Sequence, residues 1–362
     1  MKSRLFGVLL FIETAAMLLT ALVAWHFHIH NGENDFHAFL TSACITGVVG
    51  AVLYIIGRFQ KTGFDGDDTF VIVSLAWILF SLFGMLPFML SGSINSVTDA
   101  FFETISGFTT TGSTIMKNVD DQPHGILFWR SIMQWLGGLG IVVFTLAFIP
   151  SVARGSHRNT LFAAEAPGVS VEKLSPTMHG TSRILWIIYI LLTMLCAVLY
   201  YVGPMSLFDA VCHAMTTIST GGYSTHQASI GYYQSGYIER VSMVFMILSS
   251  INFAVLFFLL AGRFDLMKTN EEVRVYLISI VVMTLFFMGL FYWAPNINGV
   301  TEAQLASYPQ GAKDTFHVSF FHVVTMLSNT GFSGCNYHYD LWGLLFVIPT
   351  LLMQISLDRK SG

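Results

Sequence analysis

Long apolar runs separated by short polar connections set the pattern of this chain. Runs over Leu5–Trp25, Ala38–Ile56, Phe70–Leu90, Phe128–Ile149, Ile184–Val202, Val241–Leu260 and Val275–Trp293 are each long enough to cross about 30 Å of hydrocarbon as a helix. A shorter run, Leu341–Ile355, follows. Some of the connections are unusual. "SGFTTTGST" at Ser106–Thr114 is a run of hydroxyls and glycines with no charge and no proline, set inside apolar sequence.

That stretch recurs. "AFFETISGFTTTG" (Ala100–Gly112), "AVCHAMTTISTGG" (Ala210–Gly222) and "SFFHVVTMLSNTG" (Ser319–Gly331) align without a gap. Equivalent columns hold Thr109/Ser219/Ser328, Thr110/Thr220/Asn329, Thr111/Gly221/Thr330 and Gly112/Gly222/Gly331, and a hydroxyl follows each at Thr114, Ser224 and Ser333. Each copy lies between two spans, so the unit is helix, half-helix with a Thr/Gly loop, helix. Half-helices this short do not span; they suit re-entrant segments. Irregular backbone at membrane depth persists only where it lines a cavity or is buried in protein, and its carbonyls then suit a dehydrated cation. Glycine permits the φ > 0 that turns successive carbonyls to one axis. Neighbouring hydroxyls would hold the loop from behind. None of the loops carries Asp or Glu, so neutral oxygen dipoles favour a monovalent cation over Ca²⁺ or Mg²⁺. Ser/Thr/Gly clusters also serve as helix-packing contacts, but three collinear copies weigh against that reading.

Composition agrees. Hydrophobic residues make up 54% and charged residues 10% of the 362, and mean hydropathy is +0.65. A soluble domain carries about 25% charged residues, so a polytopic helical membrane protein is expected. With the N-terminus cytoplasmic, 13 of the 17 Lys and Arg fall on the cytoplasmic side. No small-residue cleavage site follows the first span, so it is not a signal peptide. The net charge of −4 says little about partners, and Cys44, Cys196, Cys212 and Cys335 read as small buried hydrophobes. No nucleophile–base pair, phosphate loop or metal cluster marks an enzyme, and nothing points to nucleic acid or to a covalent cofactor.

With the three loops in hand, the chain resembles the Trk/Ktr/HKT superfamily of potassium transporters, in particular its TrkH-type pore subunits. "FETISGFTTTGSTI" (Phe102–Ile115) is similar to the first filter of that family and "FWRSIMQWLGGLGIVV" (Phe128–Val143) to the helix after it. "AEAPGVSVEKLSPTMHGTSRILWIIY" resembles the cytoplasmic connection to the second repeat. "TTISTGGYSTH" (Thr216–His226) and "SSINFAVLFFLL" (Ser249–Leu260) resemble the second filter and its outgoing helix.

The resemblance implies an all-α fold of helix–pore-helix–helix repeats around a pseudo-fourfold ion pore, preceded by two extra N-terminal helices. Divided accordingly, residues 1–62 hold the N-terminal pair, 63–160 the first pore repeat, 161–268 the second and 269–362 a truncated third. It also implies a multi-pass bacterial inner-membrane protein, a homodimer with one pore per subunit, a cytosolic nucleotide-binding gating ring, and K⁺ as transported ion by channel-like or symport conduction. Backbone carbonyls of Thr110, Thr111, Gly112, Thr220, Gly221, Gly222, Asn329, Thr330 and Gly331 would form the filter, supported by Thr109, Ser219 and Ser328. Glycine at the filter position of every repeat goes with K⁺ in that family, serine in the first loop with Na⁺. The family has four filter loops and this sequence shows three, with "SLDRKSG" after Ile355, so the fourth repeat is expected to be missing. The alternative is a non-conducting relative that acts only by associating with intact subunits.

Other residues leave their readings open. Glu103, His213 and His322 share one half-helix column and would either support the loops from behind or face water at the outer end. "HFHIHNGENDFH" (His26–His37) suggests a metalloenzyme site, but i,i+2 spacing splits the ligands between helix faces, so a solvated loop is expected. Gly137, Gly138 and Gly140 in "WLGGLG" suit close packing or flexibility beside the pore. Arg130 and Gln134, one turn apart, would pair with Asp120 or Asp121, or Arg130 would snorkel.

Overall fold

The structure, a computed structural model, describes residues 2–59, 68–138, 140, 178–251, 255–257, 270–293 and 312–334. All regular elements among them are helical. α1 (Lys2–Asn31) and α2 (Phe36–Phe59) pack as an antiparallel pair. Small residues permit this: a Cβ added to Gly7 would lie 2.6 Å from the Tyr54 amide nitrogen. α3 (Asp68–Gly84) is separated from the short α4 (Leu86–Leu90) by a one-residue interruption at Met85. Pro87 lacks the amide that would continue the ladder, and Trp129 Nε1 takes up the Gly84 carbonyl at 3.0 Å. The apolar run Phe70–Leu90 is therefore an interrupted helix.

α5 (Val97–Phe108), α8 (Leu207–Ile218) and α11 (Ala312–Leu327) are the three half-helices. Ser96 and Ser206 cap the first two by accepting the amides of Asp99 and Asp209, and those acids add charge where the helix dipole favours it. α6 (His124–Gly138), α7 (Met178–Val202), α9 (Gly236–Ser250) and α10 (Glu271–Trp293) complete the set. α5 packs between α3 and α6, α8 between α7 and α9, and α11 against α10. Each outgoing helix also meets the next half-helix, α6 against α8 and α9 against α11.

Five described helices are long and apolar enough to cross a membrane: α1, α2, α3 with α4, α7 and α10. Leu22, Val48, Val198 and Leu285 lie exposed on them, as side chains facing lipid do, whereas Phe80, Tyr189, Tyr200 and Phe287 point inward. Cys44 is exposed on α2, unlike the buried Cys196 and Cys212, which corrects the reading of all the cysteines as buried. Cys335 and Leu341–Ile355 lie outside the described residues.

Two further boundaries differ from the apolar runs. α1 continues past Trp25 to Asn31, so His26, His28 and His30 are helical rather than a loop; a helix extends into water when its own backbone bonds persist. Of the run expected from Phe128 to Ile149, the described part is helical to Gly138, Gly140 has a non-helical φ of +74°, and 141–149 lie outside the described residues.

Candidate functional site

The three half-helices end in one shared backbone conformation. Thr110, Thr220 and Asn329 have φ of 55°, 54° and 59°, and Gly112, Gly222 and Gly331 have 74°, 76° and 77°. A left-handed threonine is a true outlier, because its branched Cβ crowds the backbone. It occurs twice here, at matching positions, so the surrounding structure imposes it.

The hydrogen bonds show what imposes it. Thr111 and Gly112 both donate their amides to the Ser106 carbonyl (3.0 and 3.4 Å), Gly221 and Gly222 to that of Thr216 (2.9 and 3.3 Å), Thr330 and Gly331 to that of Thr325 (3.0 and 3.1 Å). In a trans peptide the carbonyl points opposite its amide. Six carbonyls, those of Thr110, Thr111, Thr220, Gly221, Asn329 and Thr330, are thereby turned away from the half-helices.

The loops also abut in order. A Cβ added to Gly112 would land on the Gly221 carbonyl oxygen, and one on Gly222 on the Thr330 carbonyl oxygen, both well under 3.0 Å. For Gly331 no described atom lies within 4 Å. Only glycine serves at Gly112 and Gly222, for φ and for space alike.

Hydroxyls brace the loops from within. Ser106 Oγ donates to the Ser113 carbonyl (2.6 Å) and Thr325 Oγ1 to that of Phe332 (3.0 Å). Thr109 and Ser328 lie 2.8 Å from the hydroxyls of Thr111 and Thr330. Ser219 Oγ donates back to Thr216 at 3.3 Å.

Behind the first loop lies a buried ion pair. Arg130 Nε donates to Glu103 Oε1 at 2.9 Å, and both side chains are within 2% of full burial. Glu103 also accepts from Thr114 Oγ1 (3.0 Å) and the Ile115 amide (2.9 Å). Arg130 reaches the second loop at the Ser224 carbonyl (3.1 Å), and its guanidinium sits 4.1 Å from the centre of the Tyr223 ring. Tyr223 Oη donates to the Glu103 carbonyl at 2.9 Å. Arg130 therefore neither snorkels nor pairs with Asp120 or Asp121: a buried guanidinium takes the buried carboxylate one helix away. Glu103 supports the loop and does not face water. His213 does likewise for the second loop, its Nε2 2.9 Å from Ser224 Oγ. His322 is buried, with Nδ1 2.9 Å from the Val318 carbonyl. Sequence reasoning missed Tyr223, whose only signal is its place beside Gly222.

Gln134 does not pair with outer acids either. Fully buried, it donates to the Gly221 carbonyl (2.7 Å) and accepts from the Tyr223 amide (3.0 Å). Gly137 and Gly138 pack closely, as the sequence suggests: a Cβ on Gly138 would lie 2.6 Å from Ser219 Cβ.

Beyond the loops, His226 links two segments. Its Nδ1 is 3.1 Å from Asp120 and its Nε2 3.6 Å from Asp209, the second distance an ion pair rather than a hydrogen bond. Burial works against the charged ring, but Asp209 and Asp120 outweigh it and raise the His226 pKa. Asp209 shows the converse: burial would raise its pKa, and the neighbouring His226 ring with the hydrogen bonds from Thr225 and Ser206 brings it below the usual carboxylate range. Among the described residues no group of three or more His, Cys, Asp or Glu is placed to hold a metal.

Comparison with known proteins agrees with this geometry. The family model for TrkH, a cation transport protein, matches residues 36–356. The chain is 35% identical over 334 residues to the Trk system potassium uptake protein TrkH of Salmonella typhimurium, covering 91% of this chain and 65% of that protein. It is 34% identical to the protein of the same name from Vibrio parahaemolyticus, covering 98% of this chain and 69% of the relative. The crystal structure of the potassium transporter TrkH from Vibrio parahaemolyticus superposes with a TM-score of 0.77 at 30% identity, over 97% of this chain and 68% of that one. The chain thus spans about two thirds of the length of the relatives it matches, 65% for the Salmonella protein. A family match running through all three Thr/Gly loops, joined to a shared helical fold, places this chain in the TrkH family.

Proposed function

We propose that the chain is the pore-forming part of a Trk-type system that moves K⁺ across a bacterial inner membrane. The observation that carries this is the loop conformation repeated three times, with amides tied back to the half-helices and carbonyls turned the other way. Such carbonyls replace the hydration shell of a monovalent cation without a formal charge to favour a divalent one. Thr110–Gly112, Thr220–Gly222 and Asn329–Gly331 line the ion site, Thr109, Ser219 and Ser328 brace it, and the helix–pore-helix–helix units stand around a pseudo-fourfold axis. The N-terminus is cytoplasmic, in keeping with the Lys and Arg distribution. Homodimerisation and a cytosolic nucleotide-binding ring are proposed from the family resemblance. K⁺ is the cargo of this reading, which calls for no catalytic step.

Reconstitution into liposomes with opposed K⁺ and Na⁺ gradients tests the reading. The expected result is a reversal potential near that of K⁺. Flux without preference between the two ions, or no flux, overturns it.

A further inference from the structure

The two bonds of Gln134 fall on either side of one residue. The Gly221 carbonyl belongs to the peptide before Gly222, and the Tyr223 amide to the peptide after it. One side-chain amide thus fixes both peptide planes flanking Gly222. Because the second peptide is trans, holding the Tyr223 N–H toward Gln134 aims the Gly222 carbonyl away from it. Only one orientation of the amide satisfies both contacts, since nitrogen must face the carbonyl and oxygen the N–H.

The same side chain explains a difference between the loops. Thr111 and Thr330 occupy the column in which the second loop has Gly221. Gly221 does not need left-handed φ, so backbone conformation does not demand glycine there. Space does: a Cβ would lie 2.5 Å from Gln134 Oε1 and 2.7 Å from Nε2. Counted from the start of the helix, the residue of α9 that corresponds to Gln134 in α6 is Met246, buried and apolar, and the third loop keeps its threonine. Gly221 and Gln134 are therefore a matched pair, one making room for the other.

We propose that Gln134 is the positioning residue of the second loop, orienting the carbonyls of Gly221 and Gly222 and thereby setting the preference for K⁺ over Na⁺. The inference rests on the K⁺-pore reading above. Gln134 stands behind the ion site and touches no ion. One lone pair of the Gly221 carbonyl goes to the amide and the second remains for coordination. Without Gln134 the Gly222–Tyr223 peptide loses its tie and the Gly221–Gly222 peptide keeps only the 3.3 Å bond from the Gly222 amide to Thr216, so the site loses the fixed spacing that excludes the smaller ion.

Gln134→Met keeps the volume and removes both bonds; Gln134→Glu keeps the acceptor for Tyr223 and removes the donor. Both would be reconstituted beside the unmodified chain at matched protein amount, and the K⁺:Na⁺ permeability ratio read from reversal potentials. The Met variant is expected to lower the ratio about tenfold, the equivalent of one or two hydrogen bonds, and the Glu variant to fall between. A purely structural role would lower total flux and leave the ratio unchanged, and that result in either variant overturns the inference. Should the Met variant fail to fold, the Glu variant decides alone. Absence of K⁺ preference in the unmodified chain would instead refute the pore reading itself.

Discussion

Replacing Arg130 with Gln removes a guanidinium from a site where water does not reach. Arg130 is 1% exposed and Glu103 0%. The substitution breaks the 2.9 Å ion pair, the bond to the Ser224 carbonyl and the stacking over Tyr223, and leaves Glu103 with only Thr114 and the Ile115 amide. Breaking a buried pair by removing one partner costs about 3–5 kcal/mol, because the other charge stays buried without compensation. Glu103→Gln strands the arginine instead and belongs in the same range. The double substitution leaves two neutral amides, so its cost should fall short of the sum of the single costs by about 2 kcal/mol or more. Unfolding by SDS in mixed micelles, followed by tryptophan fluorescence, gives all corners of this cycle. Single costs below about 1 kcal/mol that simply add, as for an exposed pair, would refute a buried clamp between the first two loops.

Other expectations follow from the same contacts. Gly112→Ser should lower K⁺ over Na⁺ discrimination and Gly222→Ala should do so more severely, whereas Gly331→Ala, which meets no described atom, should be the mildest, with a backbone strain of about 1 kcal/mol; reversal potentials and thermal unfolding rank the three. Gly137→Ala drives a methyl into the Phe108 carbonyl and should destabilise by about 1–3 kcal/mol in the same unfolding assay. The raised pKa of His226 means its tie to Asp120 and Asp209 contributes fully below the unfolded histidine value of about 6.5 and fades as pH climbs through the higher folded value. Asp209, lowered, contributes above the unfolded aspartate value of about 3.9 and loses that only in acid. Stability of His226→Gln should therefore lack the decline that the unmodified chain shows on the alkaline side; an identical pH profile in both would count against the link.

The spans were legible because a bilayer demands long apolar runs, and α2, α7 and α10 lie within a few residues of them. Their ends were less so. Hydropathy registers what lipid tolerates, and α1 runs on through His26 and His30 because a helix needs no lipid to hold its own bonds. The non-helical φ of Gly140 was invisible to hydropathy for a related reason, since a glycine counts the same whatever its φ. At the loops, threefold repetition made the Thr/Gly columns stand out, and their shared conformation follows from bonds between residues five or six apart. Long-range partners were not readable. Arg130 with Glu103 and Gln134 with Gly221 come from different elements, and nearby Asp120 and Asp121 offered a simpler match in one dimension. Once burial is known the choice is forced, because a desolvated guanidinium needs a desolvated anion.

The contact between neighbouring loops is backbone on backbone: the α-carbon of Gly112 against the Gly221 carbonyl, that of Gly222 against the carbonyl of Thr330. Such a joint makes no use of side-chain identity. Across the thirteen aligned columns of the three segments, the closing glycine is the only residue all share. Descendants of one duplicated unit could thus drift apart at every other column, trading Glu103 for His213 or Thr111 for Gly221, while the joint still closed. Divergence among the repeats is then what their joint permits, and the glycine marks where permission ends.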